Sequence, residues 1–378
     1  MNIVIDENIS YALEAFQPFG SIKLLHGRNI TNSELKDADA LIVRSITKVN
    51  DELLKGTNIK FVGTATIGTD HIDLDYLKLK KIYFSDAKGC NADAVAEYVF
   101  TSILKIASEQ NISLNNKTIG VVGIGNIGSR IVKLAKAMGM NILMNDPPLQ
   151  RTTGSNDYVP LNQIYDADII TLHVPLNKEG VDKTIHLFNE QNLNKLKNGT
   201  IFINASRGQV VDNSALSKII IDKNLKVVLD VWENEPDINL DLLEKVRFAS
   251  PHVAGYSLEG KVNGTSMIYN ALCKFLKITP TWQPKLPEVS NNVFELNKKN
   301  YLEQTLNEIF SSVYDIKRDD SQMRNMFGMN KNERSKYFDS LRKNYPLRRE
   351  FTNYKVKLKQ KDEELTKILS AFRFGIIQ

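Results

Sequence analysis

The chain has 378 residues, of which 42% are apolar and 25% charged, proportions ordinary for a folded globular protein. No apolar run approaches the roughly 20 residues that span a bilayer, and the opening "MNIVIDENI" lacks the basic-then-apolar order of a secretory leader, so a cytoplasmic location is expected. Of the net charge of +5, all lies from residue 288 onward, where 18 Lys/Arg face 13 Asp/Glu in an interleaved pattern ("YKVKLKQKDEELTK") that matches no nucleic-acid motif.

The first 90 residues alternate strands and helices. "NIVID", "ALIVRS" and "KFVGTAT" read as buried strands, with helices or turns at "ENISYALEAFQPFG" and "NDELLKG", the pattern of a parallel α/β sheet. Residues 93–110 have helical apolar spacing behind an acidic start. From 117 the alternation restarts with six strands: "TIGVVG", "NILMND", "DIITLHV", "TIFINAS", "KVVLDV" and "VRFASPHV". Six short strands separated by helical segments describe a doubly wound sheet. A helix, "LEGKVNGTSMIYNALCKFLK", and a proline-punctuated linker, "ITPTWQPKLPE", come next. Residues 288–378 read as a separate small α/β or helical domain.

Within "TIGVVGIGNIGSRIVKLAKAMGMNILMND" (118–146), Gly123, Gly125 and Gly128 form Gly-X-Gly-X-X-Gly between a strand and a helix, with Asn126 and Ile127 between the last two glycines. Gly123 permits the tight turn, Gly125 lets backbone approach a pyrophosphate, and Gly128 lets the helix pack close to the strand. Asp146, 18 residues beyond Gly128, ends the second strand where a carboxylate accepts the adenosine ribose hydroxyls. NAD is favoured over NADP, since Asp146 repels a 2′-phosphate and Pro147 and Pro148 follow it; Arg151 is a counter-signal.

Three later strand ends carry chemistry: Arg207 in "NASRGQVVD", Glu235 in "LDVWENEP" and His252 in "PHVAGY". Open α/β sheets bind ligands at such carboxyl ends. An Arg fork suits a carboxylate, a Glu beside a His fixes the imidazole tautomer, and the His takes a proton from an alcohol while hydride leaves the same carbon. Each residue alone has an ordinary structural explanation; the ordered set behind a dinucleotide fingerprint favours catalysis. Neither Cys90 nor Cys273 has metal-ligand spacing, and no His/Cys/acid cluster does, so no bound metal is expected.

"GVVGIGNIGSRIVKLAKAMGM", "INASRGQVVD", "LDVWENEP" and "SPHVAG" resemble the D-isomer-specific 2-hydroxyacid dehydrogenases over about residues 1–285. The resemblance implies Arg207 as anchor of the substrate carboxylate, His252 as the proton-transferring residue, Glu235 as its partner, and Val174, Asp230 and Gly255 as cofactor neighbours. It implies two doubly wound parallel-sheet domains with the active site in their cleft: a flavodoxin-like substrate domain (1–93, continued by 257–285) and a Rossmann NAD domain (94–256). "GTATIGTDHID", "VRSITKVN", "AKGCNADAVAEY" and "HVAGYSLEGK" resemble more narrowly a branch of that family acting on a phosphorylated four-carbon 2-hydroxy acid in vitamin B6 synthesis. This implies Ser45, Thr66 and Tyr256 as substrate-binding positions, and residues 286–378 as a C-terminal dimerisation domain, hence a homodimer.

A doubly anionic substrate needs a grip at each end. Arg44 is the first candidate for the distal phosphate. The cluster Arg342, Lys343, Arg348 and Arg349 in "LRKNYPLRREF" is a second, reaching the partner's cleft in a dimer. His71, between Asp70 and Asp73, suggests a loop ion pair, and His173 a structural role. The rival expectations are another dehydrogenase of the family, such as one acting on 3-phosphoglycerate, or a non-enzymatic NAD(H)-sensing corepressor.

Overall fold

The computed structural model describes residues 1–296 and 301–377. They divide into two compact units, Met1–Asn91 with Ser257–Glu288, and Ala92–Tyr256 with Val289 onward.

Among the described residues the first unit holds one five-stranded sheet: β1 (Asn2–Asp6), β2 (Ser21–Leu25), β3 (Ala40–Val43), β4 (Phe61–Thr64) and β5 (Tyr83–Asp86). All pairings are parallel, in the order β2-β1-β3-β4-β5, the flavodoxin-like winding. The central strands are apolar on both faces because both faces are covered. Ile3, Ile5, Ile42 and Phe61 pack on one side, Val4, Leu41, Val43 and Val62 on the other. The helix Leu258–Leu276 closes the first face with Ile268, Tyr269 and Leu272. Gly63 makes room for it, since a Cβ there would lie 2.5 Å from Ile268 Cγ2. The sequence reading misses β2 and β5. Both are edge strands, and β2 ("SIKLL") leaves most of its residues at least partly exposed, so neither carries the continuous apolar signal of its neighbours.

The second unit contains the six expected strands: β6 (Thr118–Val122), β7 (Asn141–Asn145), β8 (Ile169–Leu172), β9 (Ile201–Asn204), β10 (Lys226–Leu229) and β11 (Phe248–Ala249). They form a parallel sheet in the order β11-β10-β9-β8-β6-β7. Winding reverses between β6 and β8, the switch point at which such sheets bind dinucleotides. A seventh position beyond β7 is reduced to a single bridge, Met144 to Tyr158.

The C-terminal segment belongs to this unit. Its strands β12 (Val293–Glu295), β13 (Lys355–Lys357) and β14 (Gly375–Ile377) pair in parallel, with helices Leu302–Val313, Ile316–Arg324, Lys331–Lys343 and Glu363–Ala371. It does not enclose a core of its own. Phe310 meets Phe351 and Phe372 with ring centroids 4.6 and 4.7 Å apart, and Phe372 meets Phe100, on helix Ala92–Gln110, at 5.0 Å. Each such pair adds roughly 0.5–1.5 kcal/mol beyond its buried area. One apolar cluster therefore runs from β6 and β9 through helix Ala92–Gln110 into the C-terminal helices.

Candidate active site

The dinucleotide cradle lies at the carboxyl end of β6. Gly123 has φ 89°, a conformation that disfavours a side chain, and a Cβ there would lie 2.6 Å from the His173 carbonyl oxygen. Gly128 sits on the first turn of helix Asn126–Ala137, where a Cβ would meet the Gly123 carbonyl oxygen at 1.9 Å. At Gly125, the N-cap of that helix, a Cβ would touch nothing within 4 Å. Two glycines are thus demanded by packing and the third leaves open space over the helix N-terminus, where Asn126 and Ile127 begin the helix. That donor set fits a pyrophosphate.

Asp146 directly follows β7 and also has structural work. One carboxylate oxygen accepts from Ile124 N at 2.7 Å, the other from Leu149 N at 3.0 Å as N-cap of helix Pro147–Thr153. An ionised carboxylate accepts more bonds than these two, so ribose hydroxyls fit it. Arg151 is engaged with Asp182 at 2.5 Å, which weakens it as a signal for a 2′-phosphate. Val174 follows β8 with its Cγ1 beside Gly123. His173 bonds Thr171 Oγ1 at 2.8 Å, and burial pushes its pKa down to about 3, so this ring is neutral.

The candidate reacting groups lie at the next strand ends. After β9, the buried Asn204 shapes a turn: its Oδ1 accepts from Ser206 N and Oγ, and its Nδ2 donates to the Arg207 carbonyl. Gly208 then crosses the loop after β10 so closely that a Cβ would lie 2.0 Å from the Trp232 carbonyl carbon and oxygen. In that second loop Trp232 N donates to Glu235 Oε1 at 2.9 Å, and Glu235 Oε2 meets His252 Nδ1 at 2.8 Å. Burial alone would raise the Glu235 carboxyl, but the His252 imidazole, its hydrogen bond and the Trp232 amide outweigh it and hold the group below its usual range.

His252 itself has φ 60°, a left-handed conformation uncommon for a side-chain-bearing residue and costing about 1–3 kcal/mol. Asp230 offsets that cost. Its carbonyl accepts from His252 N at 2.7 Å, while its carboxylate accepts from Val253 N, Ala254 N and Ser250 Oγ. Asp230 is 2% exposed, and burial pushes its carboxyl above the usual range despite those bonds. It anchors the turn that presents His252, a role invisible in sequence because its partners are backbone amides. Gly255 lies in the same turn, which closes with Tyr256 N donating to the Val253 carbonyl at 2.8 Å.

In the first unit, Thr66 Oγ1 bonds Thr64 Oγ1 at 2.8 Å, and Thr64 bonds His71 Nε2 at 3.0 Å, so His71 steadies the threonine pair. Ser45 is exposed in the loop after β3. Arg44 is paired in its own unit: its Nε and Nη2 donate to the two carboxylate oxygens of the fully buried Asp6 at 3.1 and 3.2 Å. Two arginines of the C-terminal cluster are turned inward. Arg348 and Arg349 are 5% and 7% exposed. Arg348 donates to the carbonyls of Ala254 and Ala94 in its own chain and lies over the Tyr314 ring. Among the described residues no group of three or more His, Cys, Asp or Glu could hold a metal ion, and no helix is long and apolar enough to cross a membrane.

Comparison with known proteins follows the same lines. The D-isomer specific 2-hydroxyacid dehydrogenase NAD binding domain matches residues 91–254, and a domain of unknown function matches residues 285–372. The chain is 46% identical to the erythronate-4-phosphate dehydrogenase of Proteus mirabilis over 94% of each chain. It is 45% identical to that of Pseudomonas fluorescens over 98% of each. Among solved structures, D-lactate dehydrogenase from Aquifex aeolicus complexed with NAD and lactic acid is 28% identical with a TM-score of 0.61, covering 73% of this chain and 96% of its own. NAD+-bound 3-phosphoglycerate dehydrogenase of Entamoeba histolytica is 25% identical with a TM-score of 0.62, covering 73% and 95%.

Proposed function

The chain belongs to the D-isomer specific 2-hydroxyacid dehydrogenase family, with NAD as cofactor, and we propose that it oxidises 4-phospho-D-erythronate to 2-oxo-3-hydroxy-4-phosphobutanoate in vitamin B6 synthesis. The observation that carries this reading is the Glu235–His252 pair at 2.8 Å, in the unit that bears the glycine cradle, in a chain 46% identical to an enzyme named for that substrate.

Gly123, Gly125, Asn126, Ile127, Gly128 and Asp146, with Val174, Asp230 and Gly255 nearby, would hold NAD, which when bound would supply the hydride acceptor. Arg207 pairs with the substrate carboxylate through its planar fork. Glu235 Oε2 accepts a hydrogen bond from Nδ1–H of His252, which leaves Nε2 as the base. The proton of the 2-hydroxyl passes to Nε2 as hydride leaves C2, and the carboxylate of Glu235 stabilises the imidazolium that forms. Ser45, Thr66 and Tyr256 donate hydrogen bonds to the substrate. The expected assembly is a cytoplasmic homodimer joined through the C-terminal segment, which light scattering tests directly.

The decisive assay is initial-rate NADH formation with 4-phosphoerythronate, erythronate, 3-phosphoglycerate and D-lactate side by side. A strong preference for the first is expected. Preference for 3-phosphoglycerate would retain the mechanism and overturn the substrate.

A further inference from the structure

Arg342 ends the helix Lys331–Lys343, in the segment whose matched domain has no stated function. The guanidinium is half-buried, and its Nη2 donates to Tyr256 Oη at 3.3 Å. Its Nε is buried without a partner, and no carboxylate lies within ion-pair distance of it among the described residues. The buried Arg348 and the half-buried Arg373 show the usual alternative, each with a carboxylate within 4 Å. A sheltered cation whose hydrogen-bond partner is a neutral phenol is costly unless an anion completes it.

The position is fixed. The Tyr345 ring packs edge-on against Tyr256 with centroids 5.8 Å apart, and its own hydroxyl donates to Asp319 at 2.7 Å. Tyr256 lies four residues beyond His252, past the turn that Asp230 anchors. The 3.3 Å bond to Tyr256 therefore sets Arg342 against the segment that follows His252.

Resting on the substrate reading above, we infer that Arg342 is a specificity-determining residue that, together with Tyr256 of the same chain, binds the substrate's distal phosphate. Arg207 serves the carboxylate and Arg44 is already paired with Asp6, whereas Arg342 has no carboxylate partner and supplies the second anionic grip. The planar fork suits a phosphate oxygen pair, and charge-assisted bonds of this kind change affinity about 10- to 100-fold.

The test compares wild type, Arg342→Ala, Arg342→Lys and Tyr256→Phe in the full chain. Readouts are kcat and KM for 4-phosphoerythronate and erythronate, and the inhibition constant of inorganic phosphate. Arg342→Ala should raise KM for the phosphorylated substrate about 10- to 100-fold, with a smaller change in kcat and little change for erythronate. It should weaken phosphate inhibition about tenfold, and Arg342→Lys should restore part of both. Equal losses for the two substrates would mean a structural role and overturn the inference, as would unchanged constants. If Arg342→Ala does not fold, Arg342→Lys and Tyr256→Phe carry the same comparison. A wild type that prefers unphosphorylated acids would instead overturn the substrate reading. Phosphate inhibition then decides Arg342 alone: weakened inhibition supports the anion site, and unchanged inhibition removes it.

Discussion

Replacing Gly208 by alanine should separate the chemistry from cofactor binding. The added Cβ would lie 2.0 Å from the Trp232 carbonyl carbon and oxygen and 2.6 Å from Glu233 N. All three are backbone atoms, so no rotamer change relieves the clash. Ordinary contact begins at 3.4 Å, so the loops after β9 and β10 must part by roughly 1.4 Å. That motion reaches Glu235 through its 2.9 Å bond to Trp232 N, and His252 through the 2.8 Å bond beyond it. It also separates Arg207 from the pair. A displacement of about 1 Å costs on the order of 10²-fold in rate, and overpacking costs about 1–3 kcal/mol of stability. The cradle at Gly123–Gly128 lies on other elements, so NADH affinity by fluorescence titration should stay within about threefold. Initial rates over a range of substrate should show kcat/KM down by about 10²-fold. Wild-type turnover in Gly208→Ala, or a parallel collapse of NADH affinity, would refute the coupling of the two loops.

Three further outcomes can be checked. His252→Asn should cut turnover about 10²- to 10⁴-fold while NADH still binds; turnover near wild type would rule out His252 as the base. Arg348→Ala leaves the buried carbonyls of Ala94 and Ala254 without their donor and removes a cation from beside Glu97. The expected loss is about 3–5 kcal/mol, lowering Tm by roughly 6–20 °C; a Tm within about 2 °C of wild type would contradict the packing described. Burial pushes the Glu97 carboxyl up to about 8 against the pull of Arg348 and Arg373. With the folded-state pKa raised, the native state holds the proton more tightly. That contribution is full below the unfolded value near 4.5 and is lost as pH rises toward about 8. Calorimetry should therefore show Tm of wild type falling relative to Glu97→Gln between those limits, and parallel curves would contradict it.

What could be read from the sequence follows from where the signal is carried. The central strands announce themselves because burial on both faces demands continuous apolar runs, as in "ALIV" and "IFIN". Edge strands β2 and β5 are under no such demand. The glycine cradle is readable because packing restricts residue type there, and Arg207, Glu235 and His252 stand out because the proposed chemistry would do the same. Asp230 and Asn204 are recognisable only in three dimensions, since they act on backbone amides and carbonyls. The arginines of "LRKNYPLRREF" look alike in sequence, yet packing separates them: Arg348 and Arg349 turn inward, while Arg342 stands at Tyr256.

The shared aromatic cluster of Phe100, Phe310, Phe351 and Phe372 has a consequence for how the molecule melts. A segment with its own core would come apart as its own transition. Here the C-terminal helices and the nucleotide-binding sheet draw on one cluster, so neither retains its interior once the other is lost. Heating should then melt the C-terminal helices and the nucleotide-binding sheet in one cooperative transition, and a chain cut before Val293 should yield a loosened nucleotide-binding unit rather than a smaller intact one.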